Sequence, residues 1–137
     1  MGRFQSVDEV DMFYNMITAN TLTDQGPQGT CVEYQAGSTS TSTRTNNYVQ
    51  TSRKINGRTI HSRIHQVALL KKIRLTAIPE GLEASHLCHN KRCMKISHLS
   101  AEPHFINMSR NTCAYMRETT GDRGYCTGDH QGYENCI

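Results

Sequence analysis

The chain has 137 residues and a formal net charge of +3; 36% of its residues are hydrophobic and none is tryptophan. This length suits one domain with a modest core, so something besides hydrophobic burial has to help hold the fold together. No apolar run is long enough for a membrane span or a signal peptide, so we expect no membrane partner and an intracellular, reducing compartment. That compartment would be the nucleus in a eukaryote and otherwise the cytoplasm.

The N-terminal elements follow from capping and hydrophobic spacing. Ser6 and Glu9 form a capping box, and apolar residues then recur at helical spacing, which predicts an amphipathic helix over residues 7–19. The stripe predicted to enter the core comprises Val10, Phe13, Met16 and Ile17. A short strand is predicted over 30–34, and the Ser/Thr-rich stretch 37–47 is predicted to be a mobile loop.

A β-hairpin is predicted next, because residues 48–55 and 58–64 flank the turn dipeptide Asn56-Gly57. Apolar residues then continue at helical spacing from Ile64 to Ile73, which predicts a helix behind the hairpin.

Charge is concentrated around this hairpin. Between Gln35 and Pro79 there is no Asp or Glu, and this third of the chain carries +8 while the rest carries −5. The alternative is a solvated basic surface, but eight cations without one acid favour contact with nucleic acid. A two-stranded basic ribbon fits a major groove. The groove contacts we predict are Gln50, Ser52, Arg53, Lys54, Arg58, His61 and Arg63.

The six cysteines can be three disulfides or thiolate ligands of metal ions, and the predicted reducing compartment favours the second. Cys88, Cys93 and His98 are spaced C-x4-C-x4-H and need a fourth ligand, which Cys31 can supply. A second set is complete by itself: Cys113, Cys126, His130 and Cys136. Two closed Cys3His sites, each with a structural zinc, therefore account for every cysteine. A disulfide scaffold, or His86 or His89 as a ligand in place of His98, remains an alternative.

The stretch from Ser85 through His86, Cys88 and Cys93 to His98, followed by Asn107, resembles the His-Cys box of homing endonucleases encoded by mobile group I introns. These enzymes belong to the His-Me finger, or ββα-metal, nucleases. The resemblance is specific from about residue 84 to residue 113 and loose elsewhere.

The resemblance implies roles for single residues. His86 would lie on the first strand of the motif as the general base, and Asn107 would be the only protein ligand of one catalytic Mg2+. The helix that carries Asn107 would begin near Ser100. An arginine near the scissile phosphate is also typical of the family, and Arg58 is the preferred candidate, with Arg53 and Arg63 as alternatives.

We therefore expect one α+β domain over residues 1–137: a small mixed domain with a ββα-metal motif, an antiparallel basic β-ribbon and two structural zinc sites. The ribbon would occupy about 47–75, the ββα core about 83–112 and the C-terminal zinc site 113–136.

The predicted function is a Mg2+-dependent DNA endonuclease that acts on double-stranded DNA and leaves 5′-phosphate and 3′-hydroxyl ends. The alternative is a zinc-stabilised DNA-binding module derived from such a nuclease. An RNA-binding protein is less favoured, because no aromatic stacking platform accompanies the basic residues. The sequence ends at Ile137, one residue after the last predicted ligand, so a homodimer would have to form without the swapped C-terminal tail of the family. A monomeric nicking or weakly specific nuclease is the alternative, and the dimer is favoured because double-strand cleavage at a two-fold site needs two active sites.

Overall fold

The computed structural model describes residues 3–35, 44–45 and 48–137. Three α-helices and seven strands follow one another along this part of the chain, and a short 3-10 helix spans Ile96–His98. In chain order they are α1 (Val7–Thr18), β1 (Thr21–Gln25), β2 (Cys31–Tyr34), β3 (Arg44–Thr45), β4 (Tyr48–Ile55), β5 (Arg58–Arg63), α2 (Ile64–Ile73), β6 (Leu82–His86), β7 (Leu99–Pro103) and α3 (His104–Thr120). The α+β expectation is confirmed.

The strands form three small antiparallel sheets: β1 with β2, β3 with β4 and β5, and β6 with β7. Such small sheets are not stable alone and need packing against a helix. Helix α2 supplies this packing for two of the three sheets, because it contacts β4, β5, β6 and β7, and it also packs against α1. Its residues Val67, Ala68 and Leu69 are fully buried, which places α2 at the centre of the core.

The predicted N-terminal helix is confirmed as α1, with the Ser6 hydroxyl accepting from the Glu9 amide. Val10, Phe13 and Ile17 are buried, but Met16 is 39% exposed, so its assignment to the core was wrong. Its position lies at the edge of the buried stripe. Within the described residues, no helix is both long and apolar enough to cross a membrane.

Two strands were not predicted. Strand β1 is polar and mostly exposed, so it lacks the apolar alternation that marks a strand in sequence. Strand β3 lies inside the stretch predicted to be a mobile loop, and Arg44 pairs there with Val49. The rest of that stretch lies outside the described residues.

The helix expected to begin near Ser100 begins at His104 instead, because residues 99–103 form β7 and pair with β6. A residue that precedes proline is disfavoured in the α region, so Pro103 disfavours a helix that runs through Glu102. The correction gives the ββα order β6–β7–α3.

A buried ion pair joins β7 to α3. The Arg110 guanidinium donates twice to the Glu102 carboxylate, and the two side chains are 2% and 0% exposed. Burial alone would raise the pKa of Glu102, but the hydrogen bonds and charge of Arg110 outweigh it and hold that pKa below its usual value. The same guanidinium donates to the Glu134 carbonyl oxygen, so it also anchors the C-terminal segment.

We expect Arg110→Met to lower the free energy of unfolding by about 3–5 kcal/mol, because it leaves the Glu102 carboxylate buried without its counter-charge. Chemical denaturation of the zinc-loaded protein measures this. The matched control, Arg74→Met, removes a 58% exposed partner of Asp11 and should cost less than about 1 kcal/mol. Combining Arg110→Met with Glu102→Leu should recover much of the loss. Equal effects of the two single substitutions would contradict the role of the buried pair.

Candidate active site and zinc centres

The first Cys3His cluster brings together four side chains from three parts of the chain. The sulfur atoms of Cys31, Cys88 and Cys93 and a ring nitrogen of His98 all lie within 4.8 Å of one another. The Sγ atoms of Cys31 and Cys93 are 3.6 and 3.5 Å from Nδ1 of His98. A tetrahedral zinc with ordinary Zn–S and Zn–N bonds places sulfur and nitrogen about 3.5 Å apart. The geometry fits a structural zinc.

Strand β2 holds the loop that carries these ligands. The Met94 amide donates to the Val32 carbonyl oxygen at 2.7 Å, and Glu33 pairs with Cys93 in an isolated bridge. Glu33 also accepts from the side-chain amide of Asn90 at 2.7 Å. Cys31, which starts β2, is thereby brought to the loop.

The second Cys3His cluster lies between α3 and the C-terminal segment. Nε2 of His130 is 3.6, 3.4 and 3.5 Å from the Sγ atoms of Cys113, Cys126 and Cys136. Ser109 orients the ring, since its hydroxyl oxygen lies 2.9 Å from Nδ1 of His130. A partner on the second ring nitrogen is typical of zinc-bound histidine. This cluster fits a zinc as well.

These geometries decide between the alternatives left open by the sequence. None of the six cysteines forms a disulfide, and the Sγ atoms of Cys113 and Cys126 are 4.0 Å apart, about twice the length of an S–S bond. His98 completes the first cluster. His86 and His89 do not belong to it.

His86 ends β6 and is buried. Its Nε2 lies 2.9 Å from the carbonyl oxygen of Cys93, which can only accept, so Nε2 carries the proton and Nδ1 the lone pair. Burial lowers the pKa of His86 to about 4, so the ring is neutral at pH 7. A zinc ligand's own backbone therefore fixes the tautomer.

An aromatic stack supports His86 from the side of α2. The His65 ring centroid lies 4.8 Å from that of His86 and 4.6 Å from that of Tyr48. Burial lowers the pKa of His65 to about 2, so it is neutral and adds no charge beside the base. Neither Tyr48 nor His65 was predicted to have a role in the site. Nothing in the local pattern marks them, although Tyr48 follows the two-residue alternation of the exposed ribbon face.

Asn107 lies on the first turns of α3 and faces β6. Its Oδ1 accepts from the Ser85 hydroxyl at 2.7 Å, and its Nδ2 donates to the Glu83 carboxylate at 2.5 Å. Glu83 and Ser85 alternate along β6 and so share the face toward α3, whereas Ala84 belongs to the core.

One open cavity of about 560 Å³ brings the two predicted active-site residues together, since both His86 and Asn107 line it. Tyr48, Glu83, Lys91 and His104 also contribute to its wall. Two cations contact the Tyr48 ring of this wall: the guanidinium carbon of Arg63 is 5.1 Å from the ring centre, and Nζ of Lys91 is 5.4 Å from it. The cavity thus combines a neutral imidazole, an amide and positive charge.

The β4–β5 register divides the predicted DNA contacts between two faces. The pairs Gln50 with Arg63, Ser52 with His61 and Lys54 with Thr59 share one face of the ribbon, and Lys54 and His61 are exposed there. We call these six residues the outer face. Tyr48 continues the same alternation, so the outer face leads to the cavity.

Arg53 and Arg58 belong to the opposite, core-facing side. Arg53 donates to the Tyr34 hydroxyl at 2.7 Å, and Arg58 forms an ion pair with the buried Glu9 at the turn end of the hairpin. The structure therefore does not bring Arg58 together with His86 and Asn107. Arg63, at the other end of β5, reaches the Tyr48 ring that forms part of the cavity wall.

A ββα unit held by two Cys3His clusters that fit zinc, with a histidine at its strand end and an asparagine on its helix, has the architecture expected from the sequence. The family described as the zinc-binding loop region of homing endonuclease matches residues 29–137, which is most of the chain. The chain belongs to this family, and the resemblance to a His-Cys box homing endonuclease is confirmed. Membership supports a function related to nucleases and implies DNA binding. No curated protein matches the chain.

Metal analysis of the purified protein should find two zinc ions per chain, and Cys31→Ser should retain one, because it removes a ligand from the first cluster only. Chelation should abolish the near-ultraviolet circular dichroism of the native fold, since the affinity for structural zinc is largely folding free energy. The matched variant Cys136→Ser should also retain one zinc. A zinc content near zero without free thiols would restore the disulfide interpretation.

Proposed function

We propose that the chain is a Mg2+-dependent DNA endonuclease of the intron-encoded homing type, which hydrolyses phosphodiester bonds to leave 5′-phosphate and 3′-hydroxyl ends. The observation that carries this proposal is that His86 and Asn107 line one cavity at the end of the basic outer face. A duplex lying along that face would bring its phosphates to the cavity, where Lys91 forms part of the wall and Arg63 lies over the Tyr48 ring.

His86 is suited to be the general base. Its Nδ1 carries the lone pair, and that atom makes no hydrogen bond among the residues that the structure describes. It can take a proton from a water molecule that attacks phosphorus in line with the departing 3′ oxygen. Burial lowers the pKa of His86, and this pKa would rise when a phosphate anion enters the cavity, because a nearby negative charge favours the imidazolium. His65 and Tyr48 keep the ring in place during this transfer.

Asn107 is suited to hold the metal. Its amide offers an oxygen of the kind that Mg2+ prefers, and the Ser85 hydroxyl occupies only one of the two lone pairs of that oxygen. When bound, Mg2+ supplies electrostatic stabilisation of the pentacovalent phosphorus and of the leaving oxygen. Arg63 takes the phosphate-contacting role first given to Arg58, because it lies at the end of the ribbon that adjoins the cavity.

Double-strand cleavage at a two-fold site requires two active sites, which a homodimer would supply. Five of the seven predicted contacts remain candidates for the groove, since they belong to the outer face: Gln50, Ser52, Lys54, His61 and Arg63. Arg53 and Arg58 would stabilise the fold instead of contacting DNA, because each is bound to a partner on the core-facing side.

Incubation with supercoiled plasmid and Mg2+ tests the chemistry. His86→Ala should lower the rate of nicking by about 10²–10⁴-fold, since it removes the general base, and Asn107→Ala should also lower it strongly. The control Asn15→Ala removes an exposed amide from α1 and should leave the rate unchanged. Zinc content is measured in parallel to show that each variant is folded. Wild-type protein that binds DNA but cuts no sequence with any divalent metal would favour the DNA-binding module.

Because the basic residues of β4 and β5 lie on two faces, we expect substitutions on the two faces to affect the affinity for DNA differently. Lys54→Ala and Arg63→Ala should each weaken binding and reduce the salt slope by about one, because each removes a phosphate contact. Arg58→Ala should instead lower the stability of the fold, since it leaves buried Glu9 without its ion-pair partner, and should keep the wild-type salt slope. Fluorescence anisotropy at several salt concentrations provides the measurement. A changed slope for Arg58→Ala alone would reverse the assignment of the two faces.

A further inference from the structure

An acidic residue lies beside Asn107 in the cavity that we propose receives a phosphate. Glu83 accepts from Nδ2 of Asn107 at 2.5 Å, and Nδ1 of His104 lies 3.1 Å from one of its carboxylate oxygens and 3.3 Å from the other. All three side chains line the cavity of His86. The amide of Asn107 and the imidazole of His104 therefore both contact the same carboxylate oxygen, Oε1 of Glu83.

The position of Glu83 is unfavourable for a site that binds DNA directly. Its side chain is 39% exposed. Among the described residues, the only basic side chain within ion-pair distance of it is His104, which is itself 73% exposed. A carboxylate in this place repels an approaching phosphate, at a cost that rises as the cavity closes and water leaves. A bound divalent cation would remove this conflict, because it attracts both the carboxylate and the phosphate.

The arrangement fits an octahedral cation. Neighbouring ligand atoms in the shell of a cation such as Mg2+, with bonds of about 2.1 Å, lie about 3 Å apart. The nitrogen of His104 already has this spacing from Glu83, and the Asn107 amide needs a shift of only a fraction of an ångström.

The amide can also turn without losing its other partner. Asn107 now directs Nδ2 toward Glu83 and Oδ1 toward the Ser85 hydroxyl. A half-turn of the amide would direct Oδ1 toward Glu83, and the Ser85 hydroxyl could then accept from Nδ2, since a hydroxyl both donates and accepts. Ser85 thus supports either orientation.

We propose that Glu83, with Asn107 and His104, is a ligand of the divalent cation, so that this chain binds the cation before DNA arrives. The proposal rests on the proposed nuclease function, and it differs from the single amide ligand expected from the family. A lone amide is a weak ligand whose metal binding depends on substrate, whereas a carboxylate adds a full negative charge. The imidazole adds a preference for Mn2+ over Mg2+.

Titration of zinc-loaded, DNA-free protein with Mn2+, followed by the electron paramagnetic resonance signal of free Mn2+, tests this directly. Wild-type protein should bind one Mn2+ per chain, and Glu83→Gln should bind it at least about tenfold more weakly, since the substitution removes the charge but keeps the shape. The matched control Glu80→Gln, three residues earlier and exposed, should bind as the wild type does. His104→Ala should reduce the preference for Mn2+ over Mg2+.

A merely orienting role for Glu83 gives different results. Wild-type protein that binds Mn2+ only when DNA is present, or Glu83→Gln protein that binds it as tightly as the wild type, would overturn the proposal. In plasmid cleavage, Glu83→Gln should raise the Mg2+ concentration needed for half-maximal rate and be restored largely by excess Mg2+. Cleavage by a wild type that binds no Mn2+ without DNA would remove Glu83 as a ligand and leave the nuclease in place. Binding of Mn2+ without cleavage would keep Glu83 as a ligand and contradict the proposed nuclease function.

Discussion

The coordination geometry of the first Cys3His cluster is the constraint on which the candidate active site depends. The loop between β6 and β7 carries three of the four ligands, and a tetrahedral zinc would tie it to Cys31 at the start of β2. Because the carbonyl oxygen of Cys93 accepts a hydrogen bond from Nε2 of His86, the same geometry sets the tautomer of the proposed base. A structural zinc would thus set the tautomer of the proposed base without taking part in the proposed reaction.

The second cluster does the same for the other half of the site. It holds α3, the helix that carries Asn107, through Cys113 and through the hydrogen bond between Ser109 and His130. Arg110 extends this anchor, since it contacts both the buried Glu102 and the sulfur of Cys136. Each Cys3His cluster therefore positions one of the two residues proposed for the chemistry, and α2 joins the two halves through the core.

The features that could be predicted from the sequence are those that short-range patterns specify. Capping and apolar spacing predicted α1 and α2, the turn dipeptide Asn56-Gly57 predicted the β4–β5 hairpin, and the count and spacing of the cysteines predicted both ligand sets. The resemblance supplied His86 and Asn107, and the structure places both in one cavity. The start of α3 was predicted wrongly, because pairing of β7 with β6 outweighed the helical tendency of that segment.

The sequence by itself determined α1, α2, the β4–β5 hairpin and the ligand set of the second cluster, since each depends on spacing along a short part of the chain. Only the tertiary structure decided which side chains share a face. The pairing register of β4 and β5 assigned Arg63 to the outer face, while the burial of Glu9, 49 residues away in sequence, drew Arg58 to the core side. The contact of Glu83 with Asn107 was decided in the same way, because β6 and α3 meet only after β7 has returned the chain. Partners so far apart in sequence leave no local pattern, and their energies act only once the fold has formed.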